Sequence, residues 1–145
     1  MINKNLRPWK TISKEKILDH NYFLQVEKHV VELPDGKIIP DWAWVEMPDA
    51  VIILAVTTEQ EFVCFRQTRY AVAGTTLATA GGMIEENEDP IEAARRELLE
   101  ETGYTSESWV NLGSYALDPN RGMATMYLYL ALDATYDREI GRAHV

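Results

Sequence analysis

The residues best suited to chemistry lie in one acidic segment, residues 81–104. This segment carries eight carboxylate side chains in twenty-four positions, in a chain whose formal net charge is −9. Residues three and four positions apart on a helix share one face, so Glu97, Glu100 and Glu101 are predicted to cluster. Like charges this close repel one another, whereas Mg²⁺ and Mn²⁺ prefer such hard carboxylate oxygens. The spacing therefore indicates a metal site, and the alternative is a solvated acidic helix face.

A single helix is predicted to position these carboxylates. Asp89 is a suitable N-cap, Pro90 suits the first helical position, and Gly103 suits a left-handed C-cap. The helix is therefore expected to begin at Pro90 and to end before Gly103. The apolar stripe expected to face the core consists of Ile91, Ala94 and Leu98.

The remaining sequence is typical of strands. Residues 22–46 alternate between apolar and polar types around the turn signal PDGK, which predicts an N-terminal β-hairpin. Two more strands, 50–56 and 61–67, flank the polar turn TTEQ, and a further pair flanks DPNRG at 118–122. The small, glycine-containing stretch 71–82 indicates a loop or a short edge strand. We therefore predict an α+β fold with one central helix.

Length and composition exclude several classes of protein. A chain of 145 residues fits one domain, and its acidic surface would repel the phosphate backbone of a nucleic acid. The longest apolar run, 50–56, is too short to span a bilayer, and the N-terminus lacks the apolar region of a signal peptide. The single cysteine, Cys64, lies in an apolar run and is expected to be buried. These features predict a cytoplasmic protein without nucleic-acid or membrane partners.

The acidic segment resembles the Nudix box. The matching pattern is Gly82, five residues, Glu88, seven residues, Arg96-Glu97-Leu98, one residue, Glu100-Glu101, one residue and Gly103. Seven of these positions require Gly, Glu or Arg, and chance agreement is on the order of 10⁻⁸ per starting point. The last box position is normally aliphatic and here is Tyr104.

This resemblance implies a Nudix-type α/β/α sandwich around a mixed sheet and a role for each box residue. Glu97 and Glu101 would be metal ligands, with Glu100 supporting or sharing them. Arg96 would pair with Glu88 and hold the loop against the helix. The remaining implied roles are a turn at Gly82, a metal-binding carbonyl at Gly81, and structural positions at Leu98 and Gly103.

The activity implied by the resemblance is metal-dependent hydrolysis of a nucleoside diphosphate derivative, with Mg²⁺ as the cofactor or Mn²⁺ in its place. Bound metal would offset the pyrophosphate charge, and a carboxylate would act as general base. The stretch from Phe65 to Gly82 is similar to the ADP-ribose and ADP-sugar pyrophosphatase branch, whose products are AMP and a sugar phosphate. The alternatives are another dinucleotide, a nucleoside triphosphate, or a Nudix-like module that binds ADP-ribose without cleaving it.

Candidate substrate-binding residues lie outside the box. Arg66 and Arg69 are predicted either to clamp a phosphate or ribose or to form surface salt bridges. Trp42 or Trp44 could stack on adenine, although core packing is the more usual role of a tryptophan in an alternating strand.

Two further expectations concern assembly and chain ends. The aromatic residues of the hairpin 22–46 predict a homodimer joined through the N-terminal strands. The last residues, IGRAHV at 140–145, match the translation of a common sequencing adapter, so we expect a single domain over 1–139 followed by a non-native tail. The C-terminal helix of the Nudix fold is then expected to be missing.

Overall fold

The computed structural model describes residues 7–137, which divide into two compact units. The first, the N-terminal unit, contains residues 7–48 together with Ala116–Ala124. The second, the helical unit, contains Asp49–Tyr115 together with residues 125–137. The single domain predicted over 1–139 stays a prediction.

The N-terminal unit is an antiparallel arrangement of three strands, β1 (Lys10–His20), β2 (Leu24–Glu32) and β3 (Ile38–Glu46). The predicted hairpin is confirmed, since β2 pairs with β3 in a register that places His29 opposite Trp42. The sequence pattern does not predict β1, because all of its residues are exposed and carry no inside–outside alternation.

The helical unit contains a mixed sheet around β4 (Ala50–Thr57), which lies parallel to β11 (Gly122–Tyr136). The burial of β4 alternates strictly, with Val51, Ile53 and Ala55 facing the core. The other strands are β5 (Phe62–Val63), β6 (Phe65–Arg69), β7 (Val72–Ala78), β8 (Ala80–Met83), β9 (Tyr104–Thr105) and β10 (Ser108–Asp118). The strands β5 and β8 pair antiparallel with β4, and β6 and β7 form a separate two-stranded sheet.

The helix α1 spans Pro90–Thr102 and confirms the predicted boundaries. The Asp89 side chain accepts a hydrogen bond from the backbone N–H of Ile91 at 3.0 Å. Gly103 ends the helix with φ of 73°, and its N–H donates to the carbonyl of Leu99 at 2.8 Å. The buried face of the helix consists of Ala93, Ala94 and Leu98. Because this face is buried, the acidic face of α1, with Glu97, Glu100 and Glu101, lies toward β8 and solvent.

The mixed sheet and helix confirm the predicted α+β fold, while one detail differs from the predictions. Residues 7–137 contain one helix, α1. The predicted strand 61–67 is two strands interrupted at Cys64, which is exposed rather than buried, because its neighbours Val63 and Phe65 turn inward. The predicted tail 140–145 lies outside the described residues.

No helix among residues 7–137 is long and apolar enough to cross a membrane. The longest apolar run of the sequence forms the core strand β4 instead.

Candidate active site

The acidic face of α1 lies against β8 where Glu97 meets Gly82. A Cβ atom at Gly82 would clash with the whole Glu97 carboxylate, including Oε2 at 2.6 Å. A Cβ at Gly81 would likewise overlap the carbonyl oxygen of Val51. Gly82 lies within a strand and has no left-handed φ, so the predicted turn at this residue is wrong. The glycine is needed for space, since its missing side chain admits the Glu97 carboxylate.

Arg96 pairs with Glu88 through two hydrogen bonds, as predicted. Its Nε donates to Oε1 at 2.8 Å and its Nη2 donates to Oε2 at 2.9 Å. The Arg96 side chain is 25% exposed and the Glu88 side chain is 16% exposed, so the pair is largely shielded from solvent. Glu88 also accepts a bond from the backbone N–H of Glu85 at 2.9 Å. The pair therefore ties the loop before α1 to the middle of the helix.

Arg96 also contacts two of the candidate metal ligands. Its Nη1 donates to Glu97 at 2.7 Å and to Glu100 at 3.2 Å. The sequence does not predict these contacts, since the box pattern gives the spacing of the residues and not the side-chain conformations. Glu97 is 13% exposed and Glu100 is 60% exposed. The two carboxylates thus share one cation but differ strongly in access to water.

The electrostatic environment differs between the carboxylates. The hydrogen bonds from Arg96 lower the pKa of Glu88 to about 2, against the opposing effect of burial. Burial raises the pKa of Glu97, and the bond from Arg96 only partly offsets this effect. The neighbouring charges of Glu101 and Glu100 raise the pKa of Glu97 further. The site is therefore rich in negative charge that is incompletely compensated by protein groups.

Glu101 connects the last turn of α1 to β8. One of its carboxylate oxygens accepts a hydrogen bond from the backbone N–H of Gly81 at 2.8 Å. The register of β8 places Gly81 opposite Ile52 on the central strand β4. Glu101 and the backbone of Gly81 are therefore neighbours, as the predicted set of ligands requires.

The chemistry of these donors fits a hard divalent cation. Glu97, Glu100 and Glu101 supply carboxylates from one helix face, and Gly81 supplies a neighbouring carbonyl. In the described part of the chain no three acidic, histidine or cysteine side chains converge in a preformed metal cluster. In this structure Glu97 accepts a hydrogen bond from Arg96 and Glu101 accepts one from the backbone N–H of Gly81.

The candidate phosphate-binding arginines lie on β6. Arg66 and Arg69 are both exposed, and neither forms an ion pair within residues 7–137. Their charges are therefore available to an anion, and the alternative interpretation as surface salt bridges is not supported.

In the N-terminal unit, Trp42 and Trp44 line a cavity of about 370 Å³. Trp9 meets Trp42 edge-on, with 5.0 Å between ring centroids, and Trp42 donates to the carbonyl of Asn120 at 2.8 Å. His29 stacks on Trp44 with 5.2 Å between centroids. Both tryptophans are half-buried and line the cavity, so neither ring is fully packed in a hydrophobic core.

His29 also lines this cavity, a role that the sequence pattern does not predict. His29 is 3% exposed and lies 2.7 Å from a carboxylate oxygen of Glu27. A signal was present in the alternation of β2, which places Glu27, His29 and Val31 on one face. The aromatic partners could not be predicted, because they come from other segments of the chain.

Comparison with known proteins agrees with this geometry. Residues 46–142 match the family described as the NUDIX domain, and residues 9–45 match the nucleoside diphosphate sugar hydrolase N-terminal domain. The match to the first covers more than half of the chain, and the chain therefore belongs to the Nudix family.

Individual relatives are similar over most of this chain. The ADP-ribose pyrophosphatase of Bacillus subtilis (strain 168) is 36% identical over 123 residues, which cover 84% of this chain and 65% of that protein. The methanol dehydrogenase activator of Bacillus methanolicus is 37% identical with the same two coverages. The chain thus spans just under two thirds of the length of these relatives.

A solved structure supports the fold. The crystal structure of an ADP compounds hydrolase superposes with a TM-score of 0.75 over 93% of this chain and 72% of that chain. Its sequence identity of 22% is low, so the likeness concerns the fold.

Proposed function

We propose that the protein is a metal-dependent hydrolase of the pyrophosphate bond in a nucleoside diphosphate derivative, with ADP-ribose or another ADP-sugar as substrate. The products would be AMP and a sugar phosphate. The observation that carries the proposal is the Glu97 carboxylate lying against Gly82, beside Glu100 and Glu101, in a Nudix family member. The name of the Bacillus subtilis relative and the match to a nucleoside diphosphate sugar hydrolase domain support this choice of substrate.

Each box residue has a part in this proposal. Glu97, Glu100, Glu101 and the carbonyl of Gly81 would hold a divalent cation, Mg²⁺ or Mn²⁺. The bound cation would offset the negative charge of the pyrophosphate oxygens. The Glu100 side chain is 60% exposed and the Glu97 side chain is 13% exposed, so Glu100 is the better placed of the two to accept a proton from an attacking water. Arg96 and Glu88 hold the loop and helix in register.

Substrate contacts are proposed for each unit separately. In the helical unit, the exposed Arg66 and Arg69, which form no ion pair within residues 7–137, would bind phosphate oxygens. Arginine recognises such oxygens through paired N–H donors. In the N-terminal unit, Trp42 would stack on the base, because its ring lines an open aromatic cavity.

We also propose a homodimer formed through the N-terminal unit. Large apolar side chains on this unit are about half exposed, which is unfavourable in water and is relieved by association. These side chains are Trp9, Ile12, Ile17, Leu18, Tyr22 and Phe23.

The test is release of AMP from a panel of ADP-sugars, with Mg²⁺ or Mn²⁺ present and with excess chelator as the control. Parallel reactions with NADH and ATP distinguish the other Nudix substrates. Calorimetric binding of ADP-ribose without turnover would identify a binding module instead. Turnover in excess chelator, or no turnover of any substrate with metal, would refute the proposal.

A further inference from the structure

Arg96 uses every hydrogen-bond donor of its guanidinium. The group has five N–H donors, and five acceptors surround it. The edge formed by Nε and Nη2 bonds Glu88 twice and the carbonyl of Met83 once, at 3.1 Å. The remaining group, Nη1, bonds Glu97 and Glu100. The guanidinium is thus divided between an anchoring edge and an end that contacts the candidate metal ligands.

These contacts place Arg96 in competition with a bound cation. Glu97 and Glu100 would ligate the metal through the same carboxylates that now accept bonds from Nη1. A carboxylate can serve both only by sharing its oxygens, and two cations at one carboxylate repel each other. Arg96 bonds one oxygen of each carboxylate, so a metal on Glu97 and Glu100 would share both groups with Nη1 and weaken these bonds by repulsion.

We propose that Arg96 is a positioning residue that competes with the divalent cation for Glu97 and Glu100, and that Glu88 limits this competition by holding the opposite edge of the guanidinium. The inference rests on the proposed metal-dependent function. In the absence of metal, the positive charge of Arg96 offsets part of the negative charge of Glu97 and Glu100. In its presence, Glu88 retains Arg96 at the helix while Nη1 releases the two ligands.

The experiment measures binding of Mn²⁺ alone by isothermal titration calorimetry, with no substrate present. The double variant Glu88→Gln, Arg96→Gln removes the guanidinium but leaves the net charge unchanged. It leaves no unpaired carboxylate at residue 88, while Glu97 and Glu100 lose their bonds to Nη1. The matched control is Glu92→Gln, Arg95→Gln, which makes the same exchange in an exposed pair on the same helix, 3.3 Å apart. Thermal unfolding establishes that each variant is folded.

The double variant is expected to bind Mn²⁺ about tenfold more tightly, since a hydrogen bond between charged groups contributes roughly that factor. The control pair should leave the Kd unchanged. An unchanged or weaker Kd in the double variant would overturn the inference. If the unaltered protein binds no Mn²⁺, the proposed metal-dependent function fails, and the inference fails with it. That result differs from the case in which the unaltered protein binds Mn²⁺ and the double variant has the same Kd.

A second variant keeps the inference testable if the double variant does not fold. Glu88→Gln alone frees Arg96 from its anchor, so the guanidinium should bind Glu97 and Glu100 more strongly. We expect a Kd for Mn²⁺ roughly tenfold weaker than that of Glu92→Gln, which loses one exposed carboxylate of the same helix. Equal Kd values for these two single variants would refute the role of Glu88.

Discussion

Replacing Arg96 with alanine is expected to lower the unfolding free energy. The loss should lie between the value for breaking an exposed ion pair and the value for breaking a buried one. Exposed pairs contribute about 1 kcal/mol or less, whereas breaking a buried pair costs roughly 3–5 kcal/mol. The Arg96 and Glu88 side chains are 25% and 16% exposed, and the variant leaves Glu88 without its partner. We therefore expect Arg96→Ala to lose about 2–3 kcal/mol of unfolding free energy.

The lowered pKa of Glu88 gives a second magnitude, which includes the bond from the Glu85 backbone as well as those from Arg96. A shift from 4.5 to about 2 would correspond to roughly 3 kcal/mol in the absence of screening. Solvent around the partly exposed pair reduces this to about 2 kcal/mol. For a domain of this size the loss lowers the Tm by roughly 4–10 °C.

The assay is chemical unfolding of the unaltered protein, Arg96→Ala, Glu88→Gln and the double variant. If the pair is direct, the double variant should be no less stable than the worse single variant. The control is Arg95→Ala, whose exposed bond to Glu92 at 3.3 Å should contribute at most about 0.5 kcal/mol. Equal losses for Arg96→Ala and Arg95→Ala, or fully additive losses in the double variant, would refute the reasoning.

Four other predictions address the site, pH and assembly. Glu101→Gln should abolish metal-dependent hydrolysis without loss of structure, because an amide still accepts the Gly81 bond but is a poorer ligand; turnover and circular dichroism check this. Gly82→Ala should displace the Glu97 carboxylate and reduce turnover at least tenfold, and near-normal turnover would contradict the close approach. The contribution of Glu88 to the unfolding free energy is fully present above pH 4.5 and is lost as the pH falls toward 2. The unfolding free energies of the unaltered protein and Glu88→Gln should therefore become equal in that range, which acid unfolding measures. Light scattering after gel filtration should give a dimer mass, and an active monomer would exclude the proposed N-terminal interface.

The features that sequence predicts well are those set by local signals. Asp89, Pro90 and Gly103 define the ends of α1 by their own conformational preferences, and the structure places both ends as predicted. The hairpin of β2 and β3 follows from alternation around a turn. Such signals act over a few residues, so they can be recognised without knowledge of the remaining fold.

The features that sequence does not predict depend on distant parts of the chain. Strand β1 is exposed along its length, so its pairing with β2 leaves no hydrophobic pattern. The need for a glycine at residue 82 arises from a helix side chain fifteen positions later. Arg96 has several acceptors within reach, and only the packed geometry shows that it bonds Glu97 and Glu100 as well as Glu88.

The exposed thiol of Cys64 affects how the protein must be handled. It is the only cysteine in the sequence, so air oxidation can join two chains but cannot form a bridge within one. A disulfide-linked pair has the same mass as the proposed non-covalent dimer, and a reducing agent separates the two cases. Under reducing conditions the same thiol is a unique attachment point for a fluorescent or spin label, which reports on β5 and β6 without any engineered cysteine.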